Sequence, residues 1–219
     1  MVRAIPILWI TPSSLVLLLF CASFAQAEQV EAIAESTESY YPLQKGNLWH
    51  YDVEVDSVPI KMTYVVAKIE TIDSERLFRI DTTVDGRVQS TEHLKHSTAG
   101  LFRSRFNGIE AEPPVQMLKS PIQIGDSWKA RTKIGPQEIV VEAKIEKTEK
   151  ITVPAGEFEA IQAHVATDVD GIQVVSDYWF AVDVGIVKQE MVIGDQKIIS
   201  KLREYKLAAP AHDPPKSQP

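Results

Sequence analysis

Between Trp49 and Lys206 apolar and polar residues alternate with a period of two. Trp49, Tyr51, Val53 and Val55 alternate with His50, Asp52, Glu54 and Asp56. Phe78, Ile80, Thr82 and Val84 alternate with Arg79, Asp81 and Thr83, and Val141, Ala143 and Ile145 with Glu142, Lys144 and Glu146. Successive side chains of a strand point to opposite faces, so this pattern predicts antiparallel strands with one apolar and one wet face. Turn residues punctuate the runs: Asp85-Gly86, Asn107-Gly108, Gly135-Pro136, Pro154-Ala155-Gly156, Asp170-Gly171 and Gly194-Asp195. Pairs such as Asp-Gly and Asn-Gly accept the positive φ angles of tight hairpins. The body shows no useful length of 3.6-residue period. The expectation is all-β and antiparallel, with about ten to twelve strands. Between residues 157 and 168 the apolar phase slips, which predicts a bulge there.

The chain also resembles itself. Pro42-Leu43-Gln44-Lys45-Gly46-Asn47-Leu48-Trp49 matches Pro121-Ile122-Gln123-Ile124-Gly125-Asp126-Ser127-Trp128, 79 positions on. Ala67-Lys68-Ile69-Glu70 returns as Ala143-Lys144-Ile145-Glu146, and Gly100-Leu101-Phe102-Arg103 aligns with Gly185-Ile186-Val187-Lys188. The matches keep their order, as two β units over 42–120 and 121–206 would. Two copies are too few for a solenoid. They predict a single β domain over 40–206, either one strongly curved sheet or a two-sheet sandwich. In each copy Pro sets an extended entry, Gly-Asn or Gly-Asp turns the chain, and Trp begins a strand. Trp49 and Trp128 are then core plugs at equivalent places or, alternatively, a pair that stacks on a ligand.

The ends read differently. Residues 1–27 have the form of a secretory signal: Arg3, an apolar stretch from Ala4 to Phe20, then Ala25-Gln26-Ala27 as a cleavage site. The apolar stretch is interrupted by Thr11, Pro12, Ser13 and Ser14, unlike a spanning helix of about 20 clean residues. Residues 28–39 suit a spacer or a short helix, and 207–219, with its prolines, a disordered tail. These features predict an extracytoplasmic protein, periplasmic or secreted, with no membrane span after cleavage. A lipid anchor on Cys21 is the alternative, although Phe20 stands where lipoprotein signals carry a small residue.

Cys21 is the single cysteine in 219 residues, and it leaves with the signal. The mature chain would then have no disulfide, thiolate nucleophile or cysteine-ligated metal. The formal net charge of −7 argues against nucleic-acid and anionic-membrane partners.

Three stretches resemble a secreted bacterial domain-of-unknown-function family. They are Tyr41-Pro42-Leu43-Gln44-Lys45-Gly46-Asn47-Leu48-Trp49-His50-Tyr51, then Val153-Pro154-Ala155-Gly156-Glu157-Phe158-Glu159-Ala160, then Tyr178-Trp179-Phe180-Ala181-Val182-Asp183-Val184-Gly185-Ile186-Val187-Lys188. The resemblance spans roughly 40–206. It implies an exported, β-rich protein and no catalytic or binding residue.

Candidate chemistry is sparse. His93 and His96 have a helical ligand spacing, but on a strand they face opposite sides, and solvated surface residues explain them. Asp168-Val169-Asp170-Gly171 lacks the rest of a calcium loop. No G-x-S-x-G, phosphate loop or dinucleotide fingerprint occurs. Glu110/Glu112 and Glu157/Glu159 are neighbours on a strand face. No catalytic residue, metal ligand or cofactor is assigned. Tyr178, Trp179 and Phe180 put rings on both faces of one strand, which requires either burial on both sides or a groove. With Trp49 and Trp128 they are the candidate ligand-binding residues. The expected function is non-catalytic binding of an apolar small molecule or lipid on a concave sheet face. The alternative is an envelope module that binds another protein and no small ligand.

Overall fold

The computed structural model describes residues 40–208. The signal segment with Cys21, the spacer and most of the tail lie outside the described residues. Twelve strands follow in order: β1 (Leu48–Val55), β2 (Val58–Ile72), β3 (Glu75–Val84), β4 (Arg87–Ser97), β5 (Gly100–Phe106), β6 (Ile109–Lys119), β7 (Ser127–Ile134), β8 (Gln137–Val153), β9 (Gly156–Val169), β10 (Ile172–Ala181), β11 (Gly185–Ile193) and β12 (Gln196–Lys206). Each pairs antiparallel with the next, and β12 pairs with β1, so the curved sheet closes into a barrel. Closure removes the open edges that a curved sheet would expose.

The turn signals fall where expected. Asp85-Gly86, Asn107-Gly108 and Asp170-Gly171 join their strands with positive φ at both residues. Two further tight turns, Asp56-Ser57 and Asp73-Ser74, use the same conformation without glycine.

The two matching segments make the same loop bonds. Gly46 donates its N–H to the Val66 carbonyl (2.9 Å) and Val66 donates to Asn47 (2.9 Å). Seventy-nine positions on, Gly125 donates to Ile145 (2.8 Å) and Ile145 to Asp126 (2.8 Å). Just beyond, the β2–β3 ladder shifts register between Val66 and Lys68, and the β8–β9 ladder between Ile145 and Lys147. The β9 phase slip therefore has a different origin from a bulge within 157–168, because the extra residue is Glu146 on β8. β9 stays paired with β10 as far as Ala160, and beyond it the β8–β9 hairpin arm reaches toward β12. Ala155 at its tip donates to the Leu202 carbonyl (3.0 Å), and both Ala160 and Ile161 become buried.

The barrel has two unlike ends. One rim carries the turns at 56–57, 85–86, 107–108, 135–136, 170–171 and 194–195; we call it the distal rim. The other, the proximal rim, holds both ends of the described chain. Ala208 donates there to Asn47 Oδ1 (2.8 Å). The proximal half is filled by Trp49, Tyr51, Leu101, Leu118 and Leu202, all nearly inaccessible. Trp49 Nε1–H donates to the Val184 carbonyl (2.6 Å) and Tyr51 hydroxyl to Ile186 (2.7 Å). Trp49 stacks on Tyr41 with ring centroids 5.7 Å apart. This plug needs backbone that approaches closely. At Gly185 (φ +107°) a Cβ would stand 3.3 Å from Trp49 Nε1, and at Gly100 (φ +136°) only 2.0 Å from the Leu118 carbonyl oxygen. Outward positions on the wall carry ion pairs such as Lys144–Glu146 (2.8 Å) and Lys147–Glu149 (3.0 Å). Being exposed, they add solubility more than stability.

Candidate functional site

Toward the distal rim the interior is hollow. Inward residues that are sealed at the proximal end give way to half-buried ones: Val55, Ile60, Val84, Ile139, Val169 and Ile198. A cavity of about 450 Å³ runs from Val55, Ile60, Val84 and Ile198 down to Tyr41, Leu101 and Phe180. A second, of about 310 Å³, lies against β6–β10 between Val115, Ile139, Val141, Val165 and Val174. Arg103, Phe106, Met117, Tyr178, Phe180 and Met191 line both, so the two spaces adjoin across a shared wall. Both volumes lie in the range of about 300–1,000 Å³ of small-molecule sites. The lining is chiefly aliphatic and aromatic because every second residue of each strand points inward and those residues are mostly apolar.

The candidate residues from the sequence divide. Tyr178 and Phe180 point inward, stacked at 6.0 Å, and line both cavities. Trp49 lies below them in the plug. Trp128 is half-buried on β7, where Nε1–H donates to the Gln116 carbonyl (3.0 Å). Trp179 faces outward beneath the β8–β9 arm; its Nε1–H donates to Glu149 (2.8 Å) and Lys188 Nζ sits 4.2 Å from its ring centre. Rings on both faces of β10 thus reflect cover on both sides. The three tryptophans line neither cavity.

Sequence reasoning missed two interior residues. Arg103 on β5 points into the barrel in phase with Leu101, and Glu92 on β4 in phase with Leu94. Arg103 Nε–H donates to Glu92 Oε2 (2.8 Å), and the guanidinium lies 5.8 Å from the Phe106 ring centre. Burial works against the Arg103 charge, but attraction to Glu92 and Tyr178, the Glu92 hydrogen bond and a smaller contribution from Tyr41 together outweigh it and raise the guanidinium pKa. The usable signal was a charged residue falling on the apolar phase of each strand.

Other polar groups lie on the walls. His93 is buried, unlike the solvated residue expected from sequence, with Nε2 2.7 Å from Glu70. That hydrogen bond lowers the Glu70 pKa. His96 Nε2 lies 3.0 Å from the Tyr41 carbonyl. Among the described residues no group of three His, Cys, Asp or Glu side chains could hold a metal ion.

A family profile described as DUF3108-like, an uncharacterised domain family, matches residues 116–203. No curated protein matches the chain. A solved structure from Bacteroides fragilis, named as an inferred exported protein with a YmcC-like fold, aligns with a TM-score of 0.54 at 17% identity, over 77% of this chain and 99% of its own. An inferred lipoprotein from Parabacteroides distasonis aligns with a TM-score of 0.47 at 17% identity, over 76% of this chain and 98% of its own. The chain is therefore an all-β antiparallel barrel whose fold is similar to the YmcC-like fold, and its second half matches the DUF3108-like family.

Proposed function

We propose that this protein is an exported, non-catalytic barrel that takes an apolar small molecule or lipid into its distal interior. The observation that carries the reading is the contrast within one barrel. The proximal half is packed to near-zero accessibility, whereas the distal half keeps adjoining hollows of about 450 and 310 Å³ with apolar walls. Interiors normally close such spaces, because each void costs dispersion and transfer energy. Export is supported by the signal-like N-terminal sequence and by the naming of the Bacteroides fragilis relative. The loop bonds repeated 79 positions apart support reading the barrel as two copies of a six-strand unit.

Native mass spectrometry on protein taken gently from its own host tests this. The expected result is a reproducible extra mass that is lost on denaturation. A bare polypeptide mass would overturn the reading and favour an envelope module that binds protein alone.

A further inference from the structure

The cavity wall carries one fixed charge pair where apolar side chains would pack more cheaply. An ion pair with about a quarter of each side chain exposed adds little to stability, so its place in a mostly apolar cavity calls for another role. Arg103 uses only Nε on Glu92. Its two terminal nitrogens make no hydrogen bond among the described residues, and the side chain lines both hollows. The end-on edge of a guanidinium offers two parallel N–H donors spaced for the oxygens of a carboxylate or phosphate.

Phenols stand near it. Tyr41, Tyr64 and Tyr178 line the larger hollow, and the hydroxyls of Tyr41 and Tyr64 have no hydrogen-bond partner among the described residues. Burial, with a contribution from Glu92, raises all three phenol pKa values, while Arg103 opposes the shift. They therefore stay protonated over the ordinary pH range and can donate. The walls above, toward Val55, Val84 and Ile198, are mainly aliphatic, with Thr82, Gln189 and Ser200 as their uncharged polar members and no further charge to hold a head.

Resting on the apolar-ligand reading above, we infer that the barrel binds a single-tailed amphiphile head-down, its oxyanionic head on the free edge of Arg103 and its tail toward the distal rim. Glu92 then has two roles: it holds the guanidinium in place and, as a neighbouring negative charge, it limits affinity for the head.

The test compares three probes of equal tail length on the full-length protein: dodecanoate, dodecyl phosphate and dodecanol, titrated by calorimetry. At least one acid should bind about tenfold tighter than the alcohol, the scale of a hydrogen bond to a charged group. The better acid identifies the head as carboxylate or phosphate. Arg103→Met should erase the preference and leave dodecanol binding within about twofold. Should Arg103→Met fail to fold, Glu92→Gln serves instead: removing the competing charge should tighten binding of the preferred acid several-fold and leave the alcohol unchanged. Equal binding of acids and alcohol by the unaltered protein overturns the headgroup inference and leaves the apolar-ligand reading standing. So does a Glu92→Gln variant that binds the acid no tighter. Failure of all three probes to bind counts against both.

Discussion

The barrel has two seams where its first six strands meet its last six, and they differ. At β12–β1 the ladder runs unbroken from Leu48↔Lys206 to Val55↔Ile198 apart from one shift at His50/Tyr51. At β6–β7 it consists of Ala111↔Ile134 and Glu112↔Lys133 alone. Pro113 and Pro114 follow on β6, and proline has no N–H to give a ladder. Side chains take over: Thr132 hydroxyl donates to the Pro113 carbonyl (2.6 Å) and Trp128 Nε1–H to Gln116. The matching tryptophans follow their seams. Trp49 is 1% exposed in the plug, whereas Trp128 is half-buried. Similar sequence therefore yields plug or wall according to how fully the adjoining strands are paired, and the smaller hollow lies beside the thinner seam.

The sharpest way to break the contrast is to truncate both tryptophans. Trp49→Ala should cost about 3–5 kcal/mol, as for a fully buried large ring, and Trp128→Ala markedly less, by urea denaturation. Equal losses would show that the seams are energetically alike. Next in size, Thr132→Val keeps the shape and leaves the Pro113 carbonyl without its donor. A loss of about 1 kcal/mol is expected, with faster hydrogen exchange at Ala111 and Ile134 and unchanged exchange along β1–β12. An even rise in exchange at both seams would deny the thin seam its separate weakness.

The smallest effect concerns pH. In the first half Glu70 has its pKa lowered chiefly by its hydrogen bond with His93; in the second, Glu149 is lowered chiefly by Trp179 and then by Lys147. A carboxyl lowered in the folded state stabilises above its unfolded pKa, about 4.3, and loses that contribution as pH falls through the folded value. Glu70→Gln and Glu149→Gln should each flatten slightly the decline of the urea midpoint below about pH 4.5. Unchanged slopes in both would remove these carboxyls from the acid response.

Much of this was legible in the sequence. Period-two alternation and Asp-Gly or Asn-Gly turns gave strands and hairpins, since each is a local demand on φ and on side-chain direction. Asp56-Ser57 and Asp73-Ser74 were silent because serine does not advertise positive φ. Closure was silent too, because alternation says which way Trp49 points and not that Tyr205 lies beside it. The surroundings of Trp179 were silent for the same reason: its cover is an arm of a hairpin whose tip reaches the distant Leu202 through Ala155. Of the candidate site, Tyr178 and Phe180 could be read as aromatic residues two apart on one face. Arg103 and Glu92 could not be read as partners, since the bond between them depends on how β4 and β5 are paired.

The pairing of β1 with β12 also governs time. Trp49 finds Tyr205 across the ladder and the Val184 carbonyl below it, both from the final third of the chain. A polypeptide emerging from its N-terminus must keep its first strand and largest ring unsatisfied until nearly the last residues are free. Contacts so distant along the chain place refolding on a scale of roughly milliseconds to seconds. Until then the β1–β12 ladder that closes the barrel cannot form.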